Sequence, residues 1–209
     1  MTSERPTSSA SPSAREIALE TTLRASSGAL LSRELGRALD RSRVAPRDRS
    51  LITDLVYGAV RWRVWLDAAL APRLRNPEGL PSDVVEALRL GAYEKLIRGT
   101  PPHAAVDAWV GIVRQRHPRL AGLVNAVLRR VEAPDDPSAA TRASLPSWLW
   151  ERLEAALGDD AQAAADAMRT PSPLWLVAFA SGARASLEAE GCEVADGPDR
   201  GRRFVVVVA

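Results

Sequence analysis

Between Ser13 and Val131 the apolar residues return every three or four positions, and no stretch there alternates strictly. That rhythm belongs to helices with one buried face. The first run opens at Ser13 with Glu16 three places on, an S-x-x-E pattern in which each side chain satisfies the other end's free backbone donor. A second, roughly 29–40, gathers Leu31, Leu35, Ala38 and Leu39. The third starts at Pro46, suited to a first helical turn, and continues through Leu51, Leu55, Ala59, Trp62, Leu66 and Ala69, with a break near Gly58 left open. Ser82 is positioned to cap a fourth helix with Val85, Leu88, Ala92 and Leu96 inward, and Gly99 ends it. Pro101-Pro102 starts a fifth with Val106, Trp109, Val110 and Val113, and His117-Pro118 separates it from LAGLVNAVLRR, residues 120–130. Six or seven helices without a strand pattern predict an all-α bundle over 14–132.

After the bundle the composition changes. APDDPSAATRASLP reads as a linker, assigned to 133–145. Residues 146–209 then give helices around 146–157, 159–169 and 182–190, an apolar run LWLVAF, and the strand-like RFVVVV. This is a small α+β segment with two strands, and two strands make a poor sheet by themselves. It reads as an incomplete piece, the start of something larger. The first thirteen residues, MTSERPTSSASPS, lack the apolar core of a secretory signal and read as a disordered tail. No segment approaches a membrane span, and the expected location is the cytoplasm. One cysteine and two histidines exclude an internal disulfide and leave no zinc-ligand cluster.

The net charge of +2 conceals an asymmetry: residues 1–133 carry 21 basic and 14 acidic side chains, residues 134–209 carry 7 and 12. A basic front part suggests a polyanion partner. Arg41, Arg43, Arg47 and Arg49 crowd the connection between the second and third helices, Arg15 lies in the first turn of the first, and Arg129 and Arg130 end the sixth. Guanidinium groups make planar contacts to phosphate and stack on bases, so these seven are the candidate contacts to a polyanion such as RNA. The competing reading is a solvated face paired with Asp40, Asp48 and Asp54. Asn125 lies at the border of an apolar helix face. Burying its amide unpaired would cost about 1–3 kcal/mol, so it needs a partner, expected to be backbone at a neighbouring helix end or loop. Its role is then structural, fixing the packing that presents Arg129 and Arg130.

Other residues carry less. Trp62 and Trp65 have the spacing of a stacking platform, but Trp62 belongs to the apolar stripe and reads as core. His103 has no nucleophile or ligand nearby and reads as a helix-start contact. Cys192, in EGCEV, reads as a small half-buried residue.

The segments AREIALETTLRA, DRSLITDLVYGAVRWRVWLDAAL, LRLGAYEKLI with TPPHAAVDAWVGIVR, and GLVNAVLRR resemble, in order and spacing, the NusB-like RNA-binding domain. More closely they resemble the version at the front of Sun/RsmB-type ribosomal RNA cytosine-C5 methyltransferases, and LPSWLWERLEAALGDD resembles the next segment of that family. The resemblance implies a bundle that places a catalytic domain on ribosomal RNA. It also implies what this chain lacks: the family's Gly-rich S-adenosylmethionine loop and two catalytic cysteines, neither of whose motifs Cys192 matches. The chain is therefore expected to be a truncated, split or repurposed member, inactive alone and without cofactor, S-adenosylmethionine belonging to the catalytic domain. PSPLWLVAFA departs from the family's L-R-V-N pattern, with Val177 and Phe179 or Ala180 in place of the Arg and Asn. The alternative is a free-standing NusB-like transcription antitermination factor that binds RNA with a protein partner such as a ribosomal protein; a purely structural protein-interaction bundle is the third reading.

Overall fold

Ser13 caps the first helix as its sequence pattern dictates: its Oγ accepts from the Glu16 amide, and the Glu16 carboxylate accepts from the Ser13 amide at 2.8 Å. A computed structural model of the chain describes residues 12–42, 44–170, 174–177, 182–196 and 204–208. Residues 1–11 of the expected tail, Arg43, and Phe179 and Ala180 lie outside the described residues, as does the Val177 side chain.

Among the described residues seven α-helices precede residue 132: α1 (Ala14–Ser26), α2 (Leu31–Arg41), α3 (Pro46–Arg61), α4 (Arg63–Leu70), α5 (Ser82–Leu96), α6 (Pro102–Arg116) and α7 (Ala121–Arg130). Helix α5 is buried on nearly every side, through Val84, Ala87, Leu88, Leu90, Ala92 and Tyr93, and contacts α1, α3, α4, α6 and α7. Such burial marks the centre of a bundle. Around it Leu19, Ile52, Leu55, Leu66, Trp109 and Leu128 are fully enclosed, each contributing about 1.5–3 kcal/mol relative to exposure.

The long third run breaks at Trp62, whose φ of −98° and ψ of 10° end α3, and not at Gly58. Gly58 remains helical, and its missing side chain makes room for a neighbour: a Cβ there would stand 2.0 Å from the ring of Tyr93. Ser82 is the first residue of α5 rather than its cap; Pro81 precedes the helix without a side-chain cap. Beyond its end Gly99 takes a φ of +74°, which glycine adopts without steric cost.

The stretch read as a linker contains a short helix, α8 (Ala139–Ala143), capped by Ser138. Ala143 is buried, and the Ser144 hydroxyl accepts from the Trp65 amide at 3.3 Å, so this stretch packs on α4. Helices α9 (Ser147–Leu157) and α10 (Ala161–Arg169) follow. Two compact units result, Met1–Gln162 and Ala163–Ala209.

In the second unit β1 (Leu174–Val177), β2 (Glu193–Asp196) and β3 (Phe204–Val208) form a sheet of order β1-β3-β2, with α11 (Ala183–Ala189) between β1 and β2 in the chain. Both pairings are antiparallel, with Leu174 opposite Val207 and Glu193 opposite Val208. The sequence reading anticipated two strands. The missed one, EVAD, is four residues long and charged at both ends, which hides it from pattern reading; its pairing with β3 supplies what its own composition does not.

Candidate nucleic-acid interface

Three contacts establish which helix ends meet. Arg15, in the first turn of α1, donates from Nε to Glu94 in the last turn of α5 at 2.9 Å. Arg49, in the first turn of α3, donates from Nη1 to the Leu39 carbonyl near the end of α2 at 3.0 Å. Lys95, also in the last turn of α5, donates to the carbonyls of Leu128, Arg129 and Val131 at the end of α7, at 2.9–3.1 Å. Arg98, just past α5, reaches Asp54 in the middle of α3 at 2.8 Å, and Pro12 and Glu16 at the start of α1 line one groove with Arg41 and Ser42 at the end of α2. The starts of α1 and α3 and the ends of α2, α5 and α7 therefore share one end of the bundle. Arg15, Arg41, Arg47, Arg49, Arg129 and Arg130, scattered over more than a hundred residues of chain, all sit on that end.

They do not play one role. Arg15 forms an ion pair with Glu94, whose side chain is wholly buried. Burial alone raises the Glu94 carboxyl; the hydrogen bond and charge of Arg15 outweigh it, and with Trp109 and Thr100 hold it below the usual carboxylate range. Arg15 is thus a structural cation rather than a member of an open patch. Arg49 and Arg129 are exposed but each spends one donor internally, Arg129 on Asn125. Arg41, Arg47 and Arg130 are exposed and, among the described residues, make no hydrogen bond or ion pair. Placed at the carbonyl ends of α2 and α7, Arg41 and Arg130 also complement the helix dipoles.

Asn125 differs from expectation. Its Oδ1 accepts from Arg129 Nε at 3.0 Å, one turn along the same helix, and the residue is half-buried. No neighbouring backbone is involved, because the border of the α7 face lies at the surface. The effect is nonetheless to orient Arg129.

Sequence reasoning missed a groove of about 550 Å³ between α1 and α2, lined by Arg24, Arg37, Arg41 and Arg116 together with Glu16, Glu20 and Glu34. Glu34 pairs with Arg24 and Arg37, and Glu20 with Arg116 at 2.7 Å. Arg41 alone among the groove's arginines has no carboxylate partner in the described residues. The groove is therefore self-neutralised along most of its length and cationic at the Arg41 end.

Trp62 and Trp65 meet edge to face, with centroids 5.6 Å apart and planes at 81°, both half-buried against the core. The two rings pack on each other and on the core and do not lie side by side as a flat platform. His103 is exposed at the start of α6, and Cys192 is half-buried just before β2. Among the described residues no group of three or more His, Cys, Asp or Glu is arranged to hold a metal ion, and no helix is long and apolar enough to cross a membrane.

The profile of the NusB family matches residues 12–133. The chain is 46% identical over 165 residues to ribosomal RNA small subunit methyltransferase B of Thermus thermophilus, covering 79% of this chain and 40% of that protein. Its namesake from Xanthomonas campestris is 37% identical over 133 residues, 63% of this chain and 30% of the relative. One from Escherichia coli is 32% identical over 142 residues, 64% and 33%. The chain thus spans less than half the length of these relatives. Among solved structures, the crystal structure of PH0851 superposes with a TM-score of 0.65 at 16% identity, covering 96% of this chain and 49% of that one. At that identity the likeness concerns the fold.

Proposed function

Because the chain belongs to the NusB family, we propose that its helical bundle binds RNA, and that the RNA is that of the small ribosomal subunit in the cytoplasm. The observation that carries this is the gathering of Arg41, Arg47 and Arg130 on one end, exposed and without internal partners among the described residues, with Arg49 and Arg129 beside them. A cluster of unpaired guanidiniums held on rigid helix ends is what phosphate recognition requires. The relatives' names, small-subunit ribosomal RNA methyltransferases, support this substrate, and the resemblance to Sun/RsmB-type enzymes supports a cytosine methylation as the reaction the bundle serves. By the same resemblance, that chemistry with its S-adenosylmethionine belongs to the catalytic domain of such enzymes, and the chain matches 40% or less of these relatives. This chain alone binds and does not transfer methyl groups. Its sheet-bearing second unit, beyond the family match, favours this reading over a free-standing antitermination factor, for which a NusB-like bundle suffices.

Binding of the full chain to labelled fragments tiling small-subunit ribosomal RNA tests the proposal. At least one fragment should bind well above an unrelated RNA of equal length, with affinity falling as salt rises. Equal, weak binding to every fragment contradicts it, and methyl transfer by this chain alone contradicts the assignment of chemistry to the rest of the relatives.

A further inference from the structure

The chain has two tyrosines, and they flank Gly58 in opposite senses. Tyr93 fills the space over Gly58 from α5, is 6% exposed, and donates its hydroxyl to Asp54 at 2.8 Å. Tyr57, beside Gly58 on α3, points the other way: it is 37% exposed, next to Val60 at 38%, and its hydroxyl has no partner among the described residues. The opposite face of α3, Ile52, Leu55, Val56 and Ala59, is buried. A large aromatic ring on the solvent side of a helix already fully packed on its other side is not there for the core.

The surroundings of that ring are cationic. Arg61 is one turn on from Tyr57, half-buried and without an ion pair among the described residues. Asp54, almost one turn back, is paired with the Arg98 guanidinium at 2.8 Å, so the acid is neutralised and leaves the charge of Arg61 uncompensated beside the ring. Arg47 and Arg49 stand at the start of α3, about 12–15 Å away by helix rise. At about 100° per residue Arg61 shares the face of Tyr57, while Arg47 and Arg49 flank that face on either side at the arginine end of α3.

We infer that Tyr57 is a base-stacking residue, and that the outer side of α3 takes an unpaired stretch of RNA with its phosphates on Arg61 and on Arg47 and Arg49. This rests on the RNA-binding reading above and adds to it the form of the ligand. An aromatic ring with interleaved guanidiniums is the chemistry that holds single strands. A duplex, whose bases are stacked on each other, offers nothing to the ring. Two exposed apolar side chains are too few for the apolar core of a protein interface.

The test uses the full chain with a fluorescein-labelled single-stranded ribosomal RNA oligonucleotide and the same oligonucleotide annealed to its complement. Tyr57→Ala should weaken single-strand binding roughly tenfold, as loss of one stacked base does, leaving duplex binding and the salt slope unchanged. Tyr57→Phe and Tyr57→Trp should bind within about twofold of the parent. A 5-iodouridine oligonucleotide photocrosslinked to the unmutated chain should attach at Tyr57, which does not depend on how any variant folds. Crosslinks confined to other segments, or a Tyr57→Ala chain that melts normally and binds single strands at full strength, overturns the inference. If the unmutated chain binds neither RNA, the RNA-binding proposal itself falls; if it binds and only Tyr57 is irrelevant, the stacking site alone falls.

Discussion

The guanidinium of Arg15 and the carboxylate of Glu94, 79 residues apart in the chain, form a two-point contact with the acid fully enclosed and the base about a quarter exposed. Glu94 also accepts from the indole of Trp109 at 2.9 Å, so one carboxylate joins α1, α5 and α6. Removing Arg15 leaves a buried charge with too few partners, which costs about 3–5 kcal/mol. Arg15→Met should therefore lower the melting temperature sharply at neutral pH. The pH dependence follows from the sign of the shift. In the parent the Glu94 carboxyl is held low, so its stabilisation is present above the ordinary carboxylate range and is lost as pH falls through the folded value. In Arg15→Met the same group is buried without its cation and gains by protonation. The gap between the two proteins should narrow as pH drops from 7 to 4; a constant gap would contradict this account.

The helices were legible because their signals are local: the Ser13 to Glu16 cap, Pro46 and Pro102 at helix starts, and a 3.6-residue stripe in each run. The Arg15 contact was not, since a basic residue in a first helical turn looks the same whether it faces water or a buried acid far along the chain. Its signal lay at the other end, in a glutamate set into the apolar sequence LRLGAYEKLI, where a buried carboxylate demands a cation. The arginines on the connection between α2 and α3 and at the end of α7 were legible as a cluster, their common position was not. That depends on how seven helices stack, and on Lys95 and Arg49 binding the ends of other helices.

Gly58, Gly91 and Gly36 are all helical but differ in what a methyl group would meet. At Gly58 it would stand 2.0 Å from the anchored ring of Tyr93, at Gly91 2.7 Å from a terminal methyl of Leu128, and at Gly36 nothing lies within 4 Å. Thermal melts of the alanine variants should rank accordingly. Gly58→Ala should lose about 1–3 kcal/mol or more, Gly91→Ala less, and Gly36→Ala should gain up to about 1 kcal/mol from helix propensity.

Lys95 is the single lysine among 28 basic residues. Its three donors meet three carbonyls at the end of α7, a convergent geometry that suits an ammonium and not a planar fork. Lys95→Met should destabilise by about 1.5–3 kcal/mol, and Lys95→Arg should restore only part of it in denaturant titrations. Full restoration by arginine would show that charge alone is sufficient.

Asn125→Ala removes one half-exposed bond within α7, worth about 0.2–0.5 kcal/mol. Its melting temperature should barely move, while affinity for ribosomal RNA falls modestly because Arg129 is no longer held. Unchanged affinity would leave Asn125 without a role in presenting Arg129.

The salt dependence of RNA binding tests the central claim most directly. Each phosphate neutralised on a single strand contributes about 0.7 to the slope of log K against log salt. Arg41, Arg47 and Arg130, changed together to alanine, should flatten that slope by up to about 2 units and weaken binding at low salt. Arg114 and Arg119 are the matching control: both are exposed and near His117, which contacts Asp83 at the start of α5, away from the helix end that carries Glu94 and Lys95. Arg73 would be a poor control, since it reaches Glu132 beside Arg130 at 3.4 Å. The account predicts a reduced slope for the first set and the parent slope for the second. An unchanged slope in the first set, or equal loss in both, would contradict it.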